Sequence, residues 1–262
     1  GIIEEVGKDV KRFKKGDRVV VPFSLGCGNC EHCQTGHQNV CENLIIFGFS
    51  CNGAYAQYAR VPFADQNLVH LPDSIDFTTA ASLGCRFMTS FHAVADQSGV
   101  QAGDFFTVYG AGGVGLAAIQ IANALGARVI AVDIDDAKLE KAKELGAFAT
   151  VNSRRDNPVE AVMEITKGGS DITLDALGIA ETCRNAILSL RNRGVHVQVG
   201  LTTQEEGGMI ALPTDLIVAK ELQIRGSLGM QPHRYKDLLA MVESGKLHPE
   251  KLISKTISLE EA

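Results

Sequence analysis

From Asp104 onward, short apolar runs alternate with stretches of helical periodicity, and this alternation constrains the fold more than any other feature of the sequence. The apolar runs include "DFFTVYG", "ARVIAVD" and "GVHVQVG", while "GLAAIQIANALG" and "DAKLEKAKELG" have helical periodicity. Strands that alternate with helices are typical of βαβ units, which build a parallel sheet. Nearly continuous apolar strands such as "VIAV" belong in a sheet that is covered on both faces. We therefore predict an α/β fold with about six strands in a doubly wound parallel sheet.

The first of these strands runs directly into "GAGGVG", where Gly110, Gly112 and Gly115 form the pattern G-x-G-x-x-G. We expect the strand to end at Tyr109, and Asp133 closes the next strand about 20 residues further on. In this setting the glycines permit a tight turn, close approach of the backbone to a pyrophosphate, and close packing of the helix on the sheet. The pattern predicts a dinucleotide site of the Rossmann type at the helix N-terminus. The predicted phosphate contacts are Gly110, Gly112, Gly113, Val114 and Gly115.

Asp133 also predicts which dinucleotide binds. Its carboxylate can accept hydrogen bonds from both hydroxyls of an adenosine ribose and would repel a 2′-phosphate, so NAD is favoured over NADP. Lys138 is close enough in sequence to reach the ribose, but it can equally lie on a solvated helix face.

Further coenzyme contacts are expected where later strands end, because ligands of open α/β sheets lie beyond the carboxyl ends of the strands. Each of these positions can also be an ordinary turn. The candidates are Leu177 and Gly178, then Val199, Gly200 and Leu201, then Ser227 and Leu228.

Four of the seven cysteines, Cys27, Cys30, Cys33 and Cys41, fall within the segment "CGNCEHCQTGHQNVC". Two overlapping C-x-x-C steps and a return to Cys41 can surround a tetrahedral zinc, and a closed shell of four sulfurs holds a loop in shape without an open position for substrate. Disulfides and an iron–sulfur cluster are less favoured by the spacing. We expect His32 and His37 to be solvated and not ligands. Two of the other three cysteines, Cys51 and Cys183, are expected to be buried as small apolar residues.

The composition excludes some classes of protein. The 262-residue chain has a net charge of −6, which argues against a dedicated nucleic-acid binder. No apolar run approaches the roughly 18 residues of a membrane helix. Both ends look incomplete, because the chain starts without Met inside an apolar pattern and stops after a Ser-capped helix start. We expect a cytoplasmic protein that acts on small molecules.

Three segments occur in a telling order: the four-Cys segment, the lone cysteine in "AASLGCRFMTSFHAV" and the run "VYGAGGVGLAAIQIANALGARVIAVDIDDAKLEKAKELGA". In this order they resemble the zinc-dependent alcohol dehydrogenases of the medium-chain dehydrogenase/reductase superfamily. The resemblance covers almost the whole chain. It implies that Cys85 is one of three protein ligands of a catalytic zinc and that Thr89 lies against the nicotinamide ring. Judged without this resemblance, Cys85 would be a small buried residue and Thr89 would supply a hydroxyl group near the N-terminus of a helix. His92 is expected to be structural.

The resemblance also implies a domain organisation. A partial GroES-like, mostly β domain would cover residues 1–86, with "GDRVVVPF" and "GAYAQYARVP" as strands beside the zinc lobe. A Rossmann domain would cover residues 87–228, and residues 229–262, including the helix "RYKDLLAMVESGKL", would return to the first domain.

The implied activity is hydride transfer between an alcohol and NAD, with an aldehyde or ketone as the product. The family's other two catalytic zinc ligands lie upstream of the strand at which this sequence opens. We therefore expect zinc in the four-Cys site, catalytic zinc only in a full-length protein, and little activity from this chain. The family commonly pairs the last sheet strand between subunits, which implies a dimer or tetramer. A zinc-lacking NADPH quinone or enoyl reductase and a noncatalytic zinc-lobed module are the alternatives.

Overall fold

The computed structural model describes residues 1–262, and the chain divides into two compact units. One unit contains Gly1–Met88 and Leu228–Ala262, and the other is Thr89–Ser227. The strands are β1 (Val19–Val20), β2 (Ser24–Leu25), β3 (Ile45–Ile46), β4 (Val69–His70), β5 (Phe105–Tyr109), β6 (Arg128–Asp133), β7 (Ala149–Asn152), β8 (Ser170–Asp175), β9 (Leu190–Gln198) and β10 (Gln223–Gly226). The α-helices are α1 (Glu31–Gln34), α2 (Ala64–Asn67), α3 (Phe77–Ser82), α4 (Met88–Phe91), α5 (Gly113–Ala124), α6 (Asp136–Glu144), α7 (Pro158–Thr166), α8 (Ala180–Leu188), α9 (Thr214–Ala219) and α10 (Tyr235–Glu243). None of these helices is long and apolar enough to cross a membrane.

The Thr89–Ser227 unit is built on one six-stranded sheet in the order β10-β9-β8-β5-β6-β7. Every neighbouring pair in it is parallel, which confirms the predicted α/β fold class. The strand order reverses beside β5, where β6 lies on one side and β8 on the other. The loops that follow β5 and β8 therefore begin side by side at the carboxyl edge of the sheet, the place where ligands of such folds bind.

Apolar strand residues hold this sheet against its helices. Tyr109, Ile130 and Val132 are almost fully buried in one cluster with Val162 of α7 and Ala186 of α8. Burial of a large apolar side chain contributes about 1.5–3 kcal/mol. The continuous burial along β6 is what a strand covered on both faces requires.

Local signals begin the helices that follow these strands. The Asp135 carboxylate accepts a hydrogen bond from the Ala137 N–H at the start of α6. The Asn157 side chain accepts from two N–H groups at the start of α7, whose first residue is Pro158. Both are the N-cap geometries that the residue types favour.

The other unit contains little regular sheet. β1 pairs with β4 and β2 pairs with β3, each as an antiparallel pair of two residues. A small core of Ile3, Phe13, Val19 and Leu68 supports it. The helix "RYKDLLAMVESGKL" is observed as α10, and at the C-terminus Ser258 and Glu261 form a capping box around a single 3-10 turn.

Two sequence predictions for this part of the chain are wrong. The segment "GAYAQYARVP" forms no strand, because its side chains do not alternate between a buried and an exposed face, and Tyr55 and Tyr58 are 89% and 75% exposed. Cys51 is half-buried and not buried, since it lies in a turn bridged to Phe47. Cys183 is buried as expected.

A buried histidine lies inside the parallel sheet. The Nδ1 atom of His196 is 3.0 Å from Thr173 Oγ1, and its Nε2 atom is 3.0 Å from Gln198 Oε1. Burial lowers the pKa of His196. The hydrogen bond that its Nε2 atom donates to Gln198 Oε1 and the charge of Asp175 oppose this shift only in part. The imidazole is therefore neutral near pH 7.

This histidine predicts a pH dependence of stability. In the unfolded chain His196 takes up a proton near its ordinary pKa of about 6.5, whereas in the folded chain it does so only at lower pH. Its contribution to the free energy of unfolding is therefore present above about pH 6.5 and is lost as the pH falls below that value, by at most about 1.4 kcal/mol per pH unit. Urea unfolding of the wild type and His196→Asn at several pH values between 5 and 7.5 measures it. We expect a smaller slope in the variant, and equal slopes would contradict the assignment.

Candidate coenzyme and metal sites

The glycine turn joins β5 to α5 in the geometry that an anion site needs. β5 ends at Tyr109 and α5 begins at Gly113, with Gly112 as its N-cap. Gly110 has a φ of +95°, which other residues rarely adopt. A Cβ atom on Gly115 would lie 1.8 Å from the Gly110 carbonyl oxygen, so this position admits no side chain. The first N–H groups of α5 have no acceptor within the helix and are available to an anion.

Asp133 ties this turn to the end of β6. Its Oδ2 atom accepts a hydrogen bond from the Ala111 N–H at 2.7 Å. Its Oδ1 atom accepts from the N–H groups of Ile134 and Asp135 at 2.8 and 3.0 Å. The Asp133 residue is 6% exposed. The carboxylate thus shapes the turn, a role that its position in the sequence did not indicate.

Lys138 lies at the same place. Its Nζ atom is 4.0 Å from Asp133 Oδ1, and its side chain is half-exposed. This position leaves the ammonium group able either to reach a ribose or to remain in solvent. Both interpretations of the sequence therefore stay open.

The structure brings the predicted contacts after β8 and β9 together with the glycine turn. A Cβ atom on Gly110 would lie 2.6 Å from Cγ of Leu177, so this leucine packs on the turn. A Cβ atom on Gly178 would lie 2.1 Å from the Leu201 carbonyl oxygen, and one on Gly200 would lie 2.2 Å from the Gly178 nitrogen. Val199 is half-buried beside Gly200. The two loops are in backbone contact.

The last pair of predicted contacts is divided between the units. Ser227 follows β10, where its N–H donates to the Gln198 carbonyl oxygen at 3.0 Å. Its Oγ atom is buried without a hydrogen-bond partner. Leu228 belongs to the other unit and is 41% exposed.

The four cysteines of the predicted zinc lobe converge. Their sulfur atoms all lie within 4.8 Å of one another, and Cys30 Sγ is 3.7 Å from Cys41 Sγ. Sulfurs at the corners of a tetrahedron around zinc, with Zn–S bonds of about 2.3 Å, lie about 3.8 Å apart. All four thiols are free, which does not fit a disulfide network. The donor set and its spacing fit one zinc ion.

Backbone N–H groups point at the sulfur atoms of this cluster. The N–H of Asn29 lies 3.5 Å from Cys27 Sγ, and the N–H groups of Cys27 and Asn43 lie 3.3 Å from Cys41 Sγ. The N–H groups of Asn29 and Cys30 lower the pKa of Cys27 to about 6. Burial raises the pKa of Cys33 to about 12. The more exposed thiol is thus available as a thiolate near neutral pH, as a metal ligand must be.

Asn67 fastens the zinc lobe to the rest of its unit, and the sequence analysis did not identify it. Its side chain is fully buried, accepts a hydrogen bond from the Gly26 N–H at 2.8 Å and donates to the Gly26 carbonyl oxygen at 2.9 Å. The lack of a side chain at Gly26 avoids crowding the Cys33 sulfur, since a Cβ atom there would lie 3.0 Å from Cys33 Sγ. In the sequence Asn67 is a lone asparagine in a polar stretch, and no spacing rule identifies such a residue. His32 and His37 are exposed and lie outside the cysteine cluster.

The two residues that the resemblance assigns to catalysis differ in burial: Cys85 is exposed and Thr89 is buried. Cys85 is exposed in the π-helical segment Leu83–Phe87, and it is not part of any cluster of three metal-ligating side chains. Thr89 is 8% exposed in α4, and its Oγ1 atom has no hydrogen-bond partner. His92 is buried, with its Nδ1 atom 2.9 Å from Asp96 Oδ2. A buried hydroxyl without a partner is a costly feature in a folded chain, which a bound ligand can relieve.

Comparison with known proteins follows the same division of the chain. Residues 1–73 match the family model described as the alcohol dehydrogenase GroES-like domain, and residues 113–244 match the model of zinc-binding dehydrogenases. The two matches cover the four-Cys lobe and most of the parallel sheet.

Individual relatives agree with the family models. An alcohol dehydrogenase of Geobacillus stearothermophilus is 35% identical over 94% of this chain and 71% of its own length. A NAD-dependent alcohol dehydrogenase of Sulfurisphaera tokodaii is 34% identical over 100% of this chain and 74% of its own length. The crystallised alcohol dehydrogenase TADH from Thermus sp. ATN1 is 34% identical and superposes with a TM-score of 0.93 over 100% of this chain and 76% of that one. The chain belongs to the zinc-dependent alcohol dehydrogenases of the medium-chain dehydrogenase/reductase superfamily, a family of oxidoreductases.

Proposed function

We propose that the chain is the NAD-binding and structural-zinc part of an alcohol dehydrogenase that transfers hydride between an alcohol and NAD. The observation that carries this proposal is the glycine turn at the N-terminus of α5, joined by a hydrogen bond from the Ala111 N–H to the buried carboxylate of Asp133. The Thr89–Ser227 unit would bind the coenzyme, and the unit that contains Gly1–Met88 would hold the zinc. An aldehyde or ketone would be the oxidised product.

The residues of the turn would bind the coenzyme by their backbone. The N–H groups at the start of α5 would donate to the pyrophosphate, the absence of a side chain at Gly112 would allow its close approach, and Gly115 lets the helix pack closely on the turn. The negative charge of Asp133 favours the free ribose hydroxyls of NAD over the 2′-phosphate of NADP. The related NAD-dependent enzyme of Sulfurisphaera tokodaii supports the same choice.

Thr89 would orient the nicotinamide end. Its buried, unpartnered hydroxyl is a donor and an acceptor that is available for a ligand. When bound, NAD supplies the hydride acceptor and a catalytic zinc the polarisation of the alcohol oxygen. Cys85 is the residue that this chain offers to that metal, and one thiolate does not hold zinc tightly. We therefore propose that this chain alone oxidises alcohols slowly or not at all.

The coenzyme assignment predicts the effect of Asp133→Asn. The variant loses the charge that excludes a 2′-phosphate and places an amide nitrogen among three N–H donors. We expect it to bind NADH about tenfold or more weakly, a change of about 1.4 kcal/mol or more, and to discriminate less against NADPH. Titration followed by NADH fluorescence measures both affinities.

Asp171→Asn is the matched control, because Asp171 also accepts from a sheet N–H, that of Phe105, but at the opposite end of the strands. It should bind NADH as the wild type does. A wild-type protein that binds neither coenzyme, or that prefers NADPH, contradicts the proposal.

The four-Cys cluster predicts one tightly bound zinc per chain. Cys33→Ser should lose this zinc, because a hydroxyl replaces a ligand thiolate. Asn67→Ala keeps all four thiols but leaves the Gly26 N–H and carbonyl oxygen without their partners, at a cost of about 1–3 kcal/mol for each buried group. We expect it to keep zinc with lower affinity, as measured by metal analysis and by competition with a coloured chelator.

Cys183→Ser serves as the control, since Cys183 is a buried cysteine outside the cluster. It should retain one zinc. Visible absorption typical of an iron–sulfur cluster in the purified protein, or zinc retained by Cys33→Ser, is incompatible with the assignment.

We further propose that the protein forms a dimer or tetramer through β10. This strand is an edge of the sheet, paired with β9 on one side, so its other side can extend into the sheet of a second copy.

Sedimentation equilibrium tests this pairing. Ile224 is 39% exposed on β10, and Ile224→Lys should shift the protein toward the monomer, because edge lysines oppose strand pairing. Phe148→Lys changes an exposed residue beside the opposite edge strand, β7, and should leave the assembly intact. A monomeric wild type at micromolar concentration refutes the pairing.

A further inference from the structure

Asp175 ends β8 with a fully buried carboxylate. Its side-chain partners are hydrogen-bond donors, and none of them is a cation. Oδ1 accepts from the Leu177 N–H and from Thr182 Oγ1, each at 3.0 Å. Oδ2 accepts from Gln198 Nε2 at 2.9 Å and from the Gly178 N–H at 3.2 Å. A buried charge of this kind is costly unless every lone pair is used, and here the donors come from three segments: the loop after β8, helix α8 and the end of β9.

The backbone of Asp175 reaches the second loop as well. Its carbonyl oxygen accepts from the N–H groups of Val199 and Gly200 at 3.1 and 2.9 Å. The Gln198 amide nitrogen that donates to the carboxylate also donates to the Gly200 carbonyl oxygen at 2.8 Å. One residue therefore holds the loop after β8 and the loop after β9.

The two loops have little freedom to move separately. Gly178 and Gly200 approach so closely that neither position has space for a Cβ atom, and Leu177 packs on Gly110 of the glycine turn. A change in the path of one loop must displace the other. The carboxylate of Asp175 is linked to both loops, directly to Leu177 and Gly178 and through Gln198 to Gly200.

We propose that Asp175 is a positioning residue for the nicotinamide half of the coenzyme, acting through the loops that contain Leu177 and Gly178 and Val199 to Leu201. The inference rests on the proposed function, since those loops are coenzyme contacts only if the unit binds NAD. Asp175 does not take part in the reaction. Because β6 and β8 lie on opposite sides of β5, a dinucleotide whose adenosine ribose meets Asp133 beyond β6 would extend its nicotinamide half over the loops after β8 and β9. Asp175 would order the backbone at the nicotinamide and its ribose, whereas Asp133 and the glycine turn would meet the adenosine and the phosphates.

The charge of Asp175 also sets the direction of a longer hydrogen-bond chain. Because Gln198 Nε2 donates to the carboxylate, Gln198 Oε1 must accept, and the neutral His196 therefore carries its proton on Nε2. Its Nδ1 atom then accepts from Thr173 Oγ1. The carboxylate of Asp175, which can only accept, therefore sets the direction of every hydrogen bond in this series.

Asp175→Asn tests the inference with almost no change of shape. An amide nitrogen in place of either carboxylate oxygen faces two donors, Leu177 and Gly178 on one side or Gly178 and Gln198 on the other. We expect NADH to bind about tenfold or more weakly, while ADP, which lacks the nicotinamide and its ribose, binds within about twofold of the wild type. Isothermal titration calorimetry measures both ligands on the same protein.

Two further variants separate positioning from general destabilisation. Gln198→Met removes the amide that joins the carboxylate to Gly200, at nearly constant volume, and should show the same selective loss; it decides the matter if Asp175→Asn does not fold. Thr107→Val removes a buried hydrogen bond to Ser170 in the same sheet, away from both loops, and should leave both affinities unchanged.

The outcomes are distinct. A selective loss of NADH affinity in the variants supports the positioning role. Equal losses for NADH and ADP, or no loss of either, overturn it while the coenzyme assignment stands. A wild-type protein that binds neither ligand overturns the proposed function, and this inference with it.

Discussion

The parallel register of β5 with its two neighbours is the constraint on which the rest of the proposed coenzyme site depends. Tyr109 pairs with Val132 on one side and with Asp175 on the other, so the ends of β5, β6 and β8 coincide at one edge of the sheet. Asp133 and Asp175 consequently flank the glycine turn, each at the point where a buried strand becomes a loop. A slip of the register would separate the turn from both carboxylates.

These two carboxylates are stabilised by oriented N–H groups far more than by cations. The Asp175 side chain has no cation among its partners, and Lys138 is 4.0 Å from Asp133 and half-exposed, a distance at which an ion pair contributes little. Hydrogen bonds from neutral donors to a charged acceptor contribute about 1.5–3 kcal/mol each, and several of them together offset a desolvation cost of several kcal/mol. This balance makes the loops that supply the donors as fixed as the strands, which a coenzyme site requires.

The fold and the centres of both sites could be predicted from the sequence because each depends on short-range pattern. The periodic apolar runs predicted the parallel sheet, and "GAGGVG" and the C-x-x-C steps carry their geometry within a few residues. Asn67 and Asp175 could not be found in this way, since each gains its partners from segments distant in sequence, Gly26 in one case and Gln198 in the other. The segment "GAYAQYARVP" was misjudged for the same reason: a strand needs a neighbour, and its sequence does not say whether one is present.

The four-Cys lobe and the glycine turn both use backbone N–H groups as donors to the group at their centre. In both, N–H groups converge on an acceptor, the sulfur atoms of Cys27 and Cys41 in the lobe and the proposed pyrophosphate at α5. Glycine suits both because the backbone comes close to a neighbour: a Cβ atom would be crowded against Cys33 at Gly26 and could not fit against Gly110 at Gly115. The difference lies in what holds the backbone: the turn is built on a buried sheet, whereas the lobe has two-residue strands and little core. On the proposed zinc assignment, the lobe would depend on the metal and on Asn67 for a shape that the turn derives from packing.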